Sequence, residues 1–177
     1  MSLDRAQFDL VERARGGDGA AFADLIQPEY RRAVRLAHAL LHNLDEAEDA
    51  VQESAFKAWR KLGNLKEGSP LRPWFLGIVA NQCRSVRRTK WWTNRTDEKP
   101  PEGEADAVDV AGALDLKRAL VHLSYEQRLI LVLRYYMDMS FEEIALTLAI
   151  SPKAARSRVE RAVHQLRPML RIQEAVT

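Results

Sequence analysis

One cysteine in 177 residues is too few for an internal disulfide, and no CxxC pair or Cys/His cluster is present to hold zinc. Cys83 therefore reads as a small buried hydrophobe. His38 and His42 stand at i, i+4, but the Glu of an HExxH motif and a third ligand are missing, so no metal site is expected. There is no glycine-rich phosphate loop and no GxSxG, which argues against an enzyme. The longest aliphatic run, LILVL at 129–133, falls far short of the roughly 20 residues of a membrane span. The opening MSLDRAQFDL carries an early acid and lacks the apolar stretch of a secretory signal. These absences predict a cytoplasmic chain with no membrane insertion.

What is present is a globular composition, 46% apolar and 29% charged with a net charge of +2, enough chain for one domain or two small ones. The near-neutral total hides strong segregation. Asp45, Glu46, Glu48, Asp49 and Glu53 follow one another with no base between them, and Arg84, Arg87, Arg88, Lys90 and Arg95 with no acid. From 96 to 115 seven acids face only Lys99, a net of −6, and from 151 to 171 six bases face only Glu160, a net of +5. Charge thus alternates in blocks along the chain. The stretch TDEKPPEGEADAVDVAG at 96–112 adds Pro100-Pro101 and two glycines to its acid excess, and it has no apolar period. It reads as a flexible acidic linker between two modules.

Both modules read as helical, because Gly and Pro are scarce inside them and apolar residues recur at three and four. Asp18 precedes a run to about His42. Asp45 with Glu48 forms a D-x-x-E capping box for the next helix, and Gly63 suits its C-terminal stop. Pro70 and Pro73 delay the following helix to about 73, from where it can run to about Trp91. Downstream, Ser124 with Gln127 and Ser140 with Glu143 form two further capping boxes, and Ser151-Pro152 is an N-cap followed by proline at the first helical position. No strand is predicted; the fold class is all-α.

Three constellations carry chemistry. From Ser140 to Leu170 a short amphipathic helix, a tight turn and a long basic helix form a helix-turn-helix, with Ile144, Ala145, Leu148, Ile150, Ala155, Val159, Ala162, Val163 and Leu166 facing Leu129, Val132 and Leu133. Lys153, Arg156, Ser157, Glu160 and Arg161 then lie on the outer side, near the helix N-terminus that meets base edges. Six bases from the first turn onward run against the helix dipole, which favours a polyanion over a merely solvated face. The second constellation, RPWFLGIVANQCRSVRRTKWWTNR, sets Asn81, Arg84, Arg88 and Trp91 along one side. Bases interleaved with aromatics suit an unstacked strand; Trp74 reads equally well as core, and Trp91 and Trp92 as end packing. In the third, DEAEDAVQESAFKAWRKL, Ala47, Val51, Ala55, Ala58, Trp59 and Leu62 share one side, and Asp45, Asp49 and Glu53 form a like-charged stripe on another. Such a stripe costs helix stability, so it points to a docking face for a basic partner.

Together these segments resemble one family, the extracytoplasmic-function sigma factors of bacterial RNA polymerase. The segments that carry it are DEAEDAVQESAFKAWRKL, RPWFLGIVANQCRSVRR and LSYEQRLILVLRYYMDMSFEEIALTLAISPKAARSRVERAVHQLR, in family order. The resemblance implies a domain over 1–95 that binds core polymerase and opens the -10 element. It implies an acidic linker over 96–111 and a domain over 112–177 that reads the -35 element as duplex. It places Asp45, Glu48, Asp49, Gln52 and Glu53 on the polymerase-binding helix. Lys66 and Ser69, in the loop from Leu65 to Leu71, fall with Trp74, Asn81, Arg84 and Arg88 at the -10 DNA. Arg134, Lys153, Arg156, Ser157, Arg158, Glu160 and Arg161 fall at the -35 DNA. The implied partners are the clamp coiled coil of the largest polymerase subunit, the flap of the second-largest, promoter DNA and an anti-sigma factor; no cofactor or metal is implied.

Where the family often has Gly-Thr at the start of the recognition helix, this chain has Lys153-Ala154, and Glu160 occupies a position commonly aromatic or His. An acid there can accept from cytosine N4 but repels phosphate, so the base sequence read does not transfer. The chain ends six residues after Arg171, and no additional C-terminal regulatory domain is expected. Two other readings remain open: a free-standing helix-turn-helix regulator, which leaves the acidic helix and the aromatic-basic segment unexplained, and a sigma-mimic that captures an anti-sigma factor without touching DNA.

Overall fold

The computed structural model describes residues 2–93, 120 and 122–174. The chain divides into two compact helical units, Met1–Arg95 and Thr96–Thr177, and no strand occurs among the described residues. The linker read at 96–111 lies outside them.

The first unit contains α1 (Ser2–Arg15), α2 (Gly19–Leu41), α3 (Leu44–Lys61), a 3-10 turn (Leu62–Asn64) and α4 (Leu71–Thr93). Helix α1 is not among the elements expected from the sequence; its Val11 and Ala14 join Ala21, Leu25, Leu62, Leu65 and Leu71 in one buried cluster. Gly17, at φ +94, turns the chain between α1 and α2. Asp18 caps α2 as expected, its Oδ1 accepting from the Ala21 N–H at 3.0 Å. That bond and the Arg13 guanidinium, 2.6 Å away, hold the Asp18 carboxyl below the usual carboxylate range. Its contribution is therefore present near neutrality and lost as pH falls.

Between α2 and α3 the connection is only two residues. His42, at φ 58, closes α2 in the left-handed region, and Asn43 starts α3 by accepting from the Glu46 N–H at 2.9 Å. The D-x-x-E box expected at Asp45 and Glu48 is therefore not the cap, because the helix begins one residue before Asp45 and both acids lie inside it. Gly63 likewise provides no left-handed stop; it sits within the 3-10 turn, which Leu65 N–H closes on Leu62 O at 3.1 Å. The next helix starts at Leu71 rather than 73, because Pro73 falls in the first turn, where an N–H would lack an intrahelical partner anyway.

The second unit contains α5 (Tyr125–Leu131), a π-helical turn (Val132–Tyr136), α6 (Phe141–Leu148) and α7 (Pro152–Glu174). Both expected capping boxes, Ser124 with Gln127 and Ser140 with Glu143, are formed in both directions. Ser151 Oγ accepts from the Ala154 N–H at 3.1 Å with Pro152 at the first helical position. Helices α5 and α6 pack on α7, and Leu129, Ile144, Ala155, Val159 and Ala162 of these helices are buried, as is Leu133 of the π-helical turn. Arg128 is buried too, donating to Leu120 O at 3.1 Å and Leu123 O at 3.4 Å.

Ser140 fixes the start of α6 and hence the geometry of the whole turn. Ser140→Ala should destabilise this unit by about 1 kcal/mol, and Ser140→Thr should recover most of the loss. Hydrogen exchange of the α6 and α7 amides measures it separately from Met1–Arg95.

Candidate functional site

Helix α3 buries Ala47, Ala50, Val51, Ser54 and Ala58. Ser54, the one polar member of that stripe, returns its hydroxyl to Ala50 O at 2.6 Å. Burying that stripe leaves Asp45, Glu48, Asp49, Gln52 and Glu53 all exposed. The like-charged stripe is partly balanced, against expectation. Glu53 pairs with Lys57 at 3.4 Å, and Lys57 Nζ also donates to Gln82 on α4 at 2.5 Å. Glu46 pairs with Lys90 of α4. Asp45, Glu48 and Asp49 make no ion pair among the described residues, which narrows the uncompensated acid to the first half of the helix. A shallow groove between α3 and α4, lined by Asp49, Gln52, Glu53, Gln82 and Val86, continues this surface. Phe56, 58% exposed, lies one turn beyond Gln52, off the apolar side that the helical spacing defines.

The loop between the 3-10 turn and α4 is pinned at both ends by buried Leu65 and Leu71. Arg15 of α1 donates from Nη2 to Leu65 O. Gly68, at φ +73, makes the bend, with Ser69 N–H donating to Lys66 O at 3.0 Å. Lys66 is exposed and Ser69 half-buried. Trp74 is also half-buried, and packs against the Leu25, Leu62, Leu65 and Leu71 cluster. Of the two roles read for it, core packing is the one the structure displays. Asn81, Arg84 and Arg88 are exposed along α4, and Arg84 Nη1 donates to Asn81 Oδ1 at 3.0 Å. The Trp91 and Trp92 side chains lie outside the described residues. Cys83 is fully buried, and burial pushes its thiol up to about 12, which leaves it unreactive at neutral pH.

In the second unit α6, the turn and α7 form a helix-turn-helix. Ala149 turns the chain in the left-handed region, φ 53 and ψ 47, with its N–H donating to Ala145 O. Lys153, Arg156, Ser157, Arg158, Glu160 and Arg161 are all exposed on α7. Arg161 Nε donates to Ser157 O at 3.3 Å. Arg134, from the π-helical turn, is half-buried and donates from Nη1 to Met139 O at 2.8 Å. Its guanidinium also lies 5.0 Å from the Phe141 ring centroid, and that of Arg156 lies 4.7 Å from the same ring. Each such contact contributes about 0.5–1 kcal/mol at an exposed site. Sequence reasoning missed Phe141 because the arginines it touches come from two other elements. It also missed Tyr135 and Tyr136, both more than half exposed in the π-helical turn.

Among the described residues no helix is long and apolar enough to cross a membrane. Residues 25–93 match the family model for sigma-70 region 2, and residues 113–166 match that for sigma-70 region 4. The chain is 30% identical to the RNA polymerase sigma factor NccH of Alcaligenes xylosoxydans xylosoxydans, over 96% of this chain and 95% of the relative. It is 32% identical to the RNA polymerase sigma factor CarQ of Myxococcus xanthus, over 90% and 95%. Among solved structures, CnrH in complex with the cytosolic domain of CnrY superposes with a TM-score of 0.69 at 25% identity, covering 94% of this chain and 98% of that one. The sigma factor RpoE of Bartonella quintana, in complex with the anti-sigma factor NepR, superposes at 0.66 with 27% identity, covering 85% and 97%. The chain belongs to the extracytoplasmic-function sigma factors of RNA polymerase, initiation factors rather than enzymes.

Proposed function

We propose that this sigma factor docks on the clamp coiled coil of the largest polymerase subunit through α3, opens a -10 element with the Leu65–Leu71 loop and α4, and reads a -35 duplex with α7. The observation that carries the reading is the division of exposed charge. Uncompensated acids Asp45, Glu48 and Asp49 stand on one helix, and Lys153, Arg156, Arg158 and Arg161 on another in the separate unit. A sigma-mimic has no need of the second set. Gln52 and Glu53 extend the acidic face, and the exposed Tyr135 and Tyr136 offer the flap of the second-largest subunit an aromatic surface. Solved relatives in complexes, one with an anti-sigma factor, support an anti-sigma partner here as well. A protein that acts on polymerase and promoter DNA would do so in the cytoplasm.

At the -10 element, Lys66, Ser69, Asn81, Arg84 and Arg88 supply cations and hydrogen-bonding groups along one path from loop to helix. Trp74 contributes chiefly by holding that path against the core. On α7, Ser157 and Glu160 give hydrogen-bonding groups among the cations, and Arg134 adds one from outside the helix. Glu160 accepting from cytosine N4 would favour a cytosine in the -35 element.

The decisive experiment is charge reversal on α3. Asp45→Lys with Asp49→Lys should abolish co-elution with core polymerase while the helical spectrum stays that of the parent, because neither carboxylate supports the fold through an ion pair. Unchanged co-elution would remove α3 as the docking helix. At the -10 element, Asn81→Ala should change the preference at one base, read by selection from a randomised -10 library, with core binding unaffected. Identical selection by variant and parent would leave Asn81 a structural partner of Arg84.

Each unit makes few phosphate contacts, so each should bind naked duplex weakly at physiological salt. The 16 residues from Thr96 to Ala111 reach at most about 53–58 Å when extended, roughly one and a half turns of duplex. Polymerase, by holding both units, makes the second contact intramolecular. Footprinting should therefore show negligible specific protection by the chain alone and strong protection with core. A sharp footprint over both elements by the chain alone would favour a free-standing regulator.

A further inference from the structure

We infer that Phe141 is a positioning residue of the helix-turn-helix, whose ring holds Arg134 and Arg156 as a pre-set pair of cations for the duplex. The inference rests on the proposed reading of α7 and adds to it a residue that carries no charge and no hydrogen-bonding group of its own. Three elements meet at this ring: Arg134 comes from the π-helical turn, Phe141 from the first position of α6, and Arg156 from the second turn of α7. With the two guanidinium carbons at 5.0 and 4.7 Å from one centroid, they lie within about 10 Å of each other.

The backbone beneath the ring is well fixed. Ser140 N–H donates to Glu143 Oε2 at 2.8 Å, and Glu143 N–H donates to Ser140 Oγ at 3.1 Å, locking the backbone on which Phe141 sits. Arg134 spends one donor on Met139 O at 2.8 Å and keeps the rest of its fork. Arg156 has no carboxylate within 4.0 Å among the described residues. A Glu in place of Phe141 would also gather the two arginines, but it would cancel charge that phosphate needs. An aromatic face attracts cations through its quadrupole and leaves their full charge available. It also restricts two rotamer-rich side chains before DNA arrives, which lowers the ordering cost of binding.

The test is equilibrium binding of reconstituted holoenzyme to the promoter fragment that the parent holoenzyme selects best from a randomised library. Phe141→Leu should weaken binding about five- to thirtyfold, two cation–ring contacts being lost, and Phe141→Tyr should stay within about twofold of the parent. In an Arg134→Ala, Arg156→Ala background the Phe141→Leu change should have no further effect. Parent-like binding by Phe141→Leu would overturn the inference. So would a loss that persists undiminished in the double-alanine background, since the ring would then act by packing or by touching DNA itself. If Phe141→Leu loses hydrogen-exchange protection in α6, Phe141→Met, apolar and long but without a ring, takes its place with the same expectations. Should Arg134→Ala and Arg156→Ala themselves bind like the parent, it is the reading of α7 that fails; weak arginine variants beside a parent-like Phe141→Leu sink only the positioning role.

Discussion

The small side chains on the buried stripe of α3 are the constraint on which the first unit rests. Ala47, Ala50, Ser54 and Ala58 are essentially inaccessible, and the helix packs on both α2 and α4. Side chains of this size let neighbouring backbones approach closely, but they leave no room for a long or charged group between them. Asp45, Glu48, Asp49 and Glu53 are thereby forced to the outer face, and Glu46 to the margin beside α4. Specific packing and the exposed acidic surface are two consequences of one residue pattern, and Ser54 joins the stripe without cost in unpaired groups because Ala50 O accepts its hydroxyl.

Rigid supports behind exposed groups recur through both units. The Lys66–Pro70 loop carries polar residues at a bend, yet buried leucines flank it, and an arginine of α1 holds the carbonyl of one of them. Helix α7 begins at a serine cap followed by proline, after an alanine held in the left-handed region. A non-glycine residue at positive φ is unfavourable by itself. Here it is tolerated because Ala149 and Ile150 N–H groups both return to Ala145 O, closing α6 before α7 departs.

Features set by adjacent residues were legible in the sequence. Asp18, Ser124, Ser140 and Ser151 cap the helices expected of them, since a cap needs only its own side chain and the next three residues. The exceptions show what competes with such signals. Asn43 wins over Asp45 because His42 already leaves the helical region, so the new helix can start at once. The partial balancing of α3 needed α4 beside it, because Lys90 is 44 residues from Glu46. Arg128 gave no sign of being buried, since its partners are backbone carbonyls on a preceding turn. The Phe141 cluster was hidden for the same reason: it exists only once three elements meet.

A chain that carries acid and base in separate blocks risks satisfying itself instead of its partners. The first unit does so only in part. Lys90 reaches Glu46 and Lys57 reaches Glu53, both pairs exposed, and exposed pairs are worth about 0–1 kcal/mol and weaken with salt. Such contacts are strong enough to bias side chains and weak enough for a basic partner surface to displace. On the proposed reading, Asp45, Glu48 and Asp49 are left to set the long-range field that steers encounter. On α7 the same problem is solved differently: Arg134 and Arg156 share an uncharged ring, so their order is obtained without neutralisation. On the proposed reading the two faces meet opposite requirements, since a protein partner can replace a local ion pair with its own, whereas affinity for phosphate scales with cations left unneutralised.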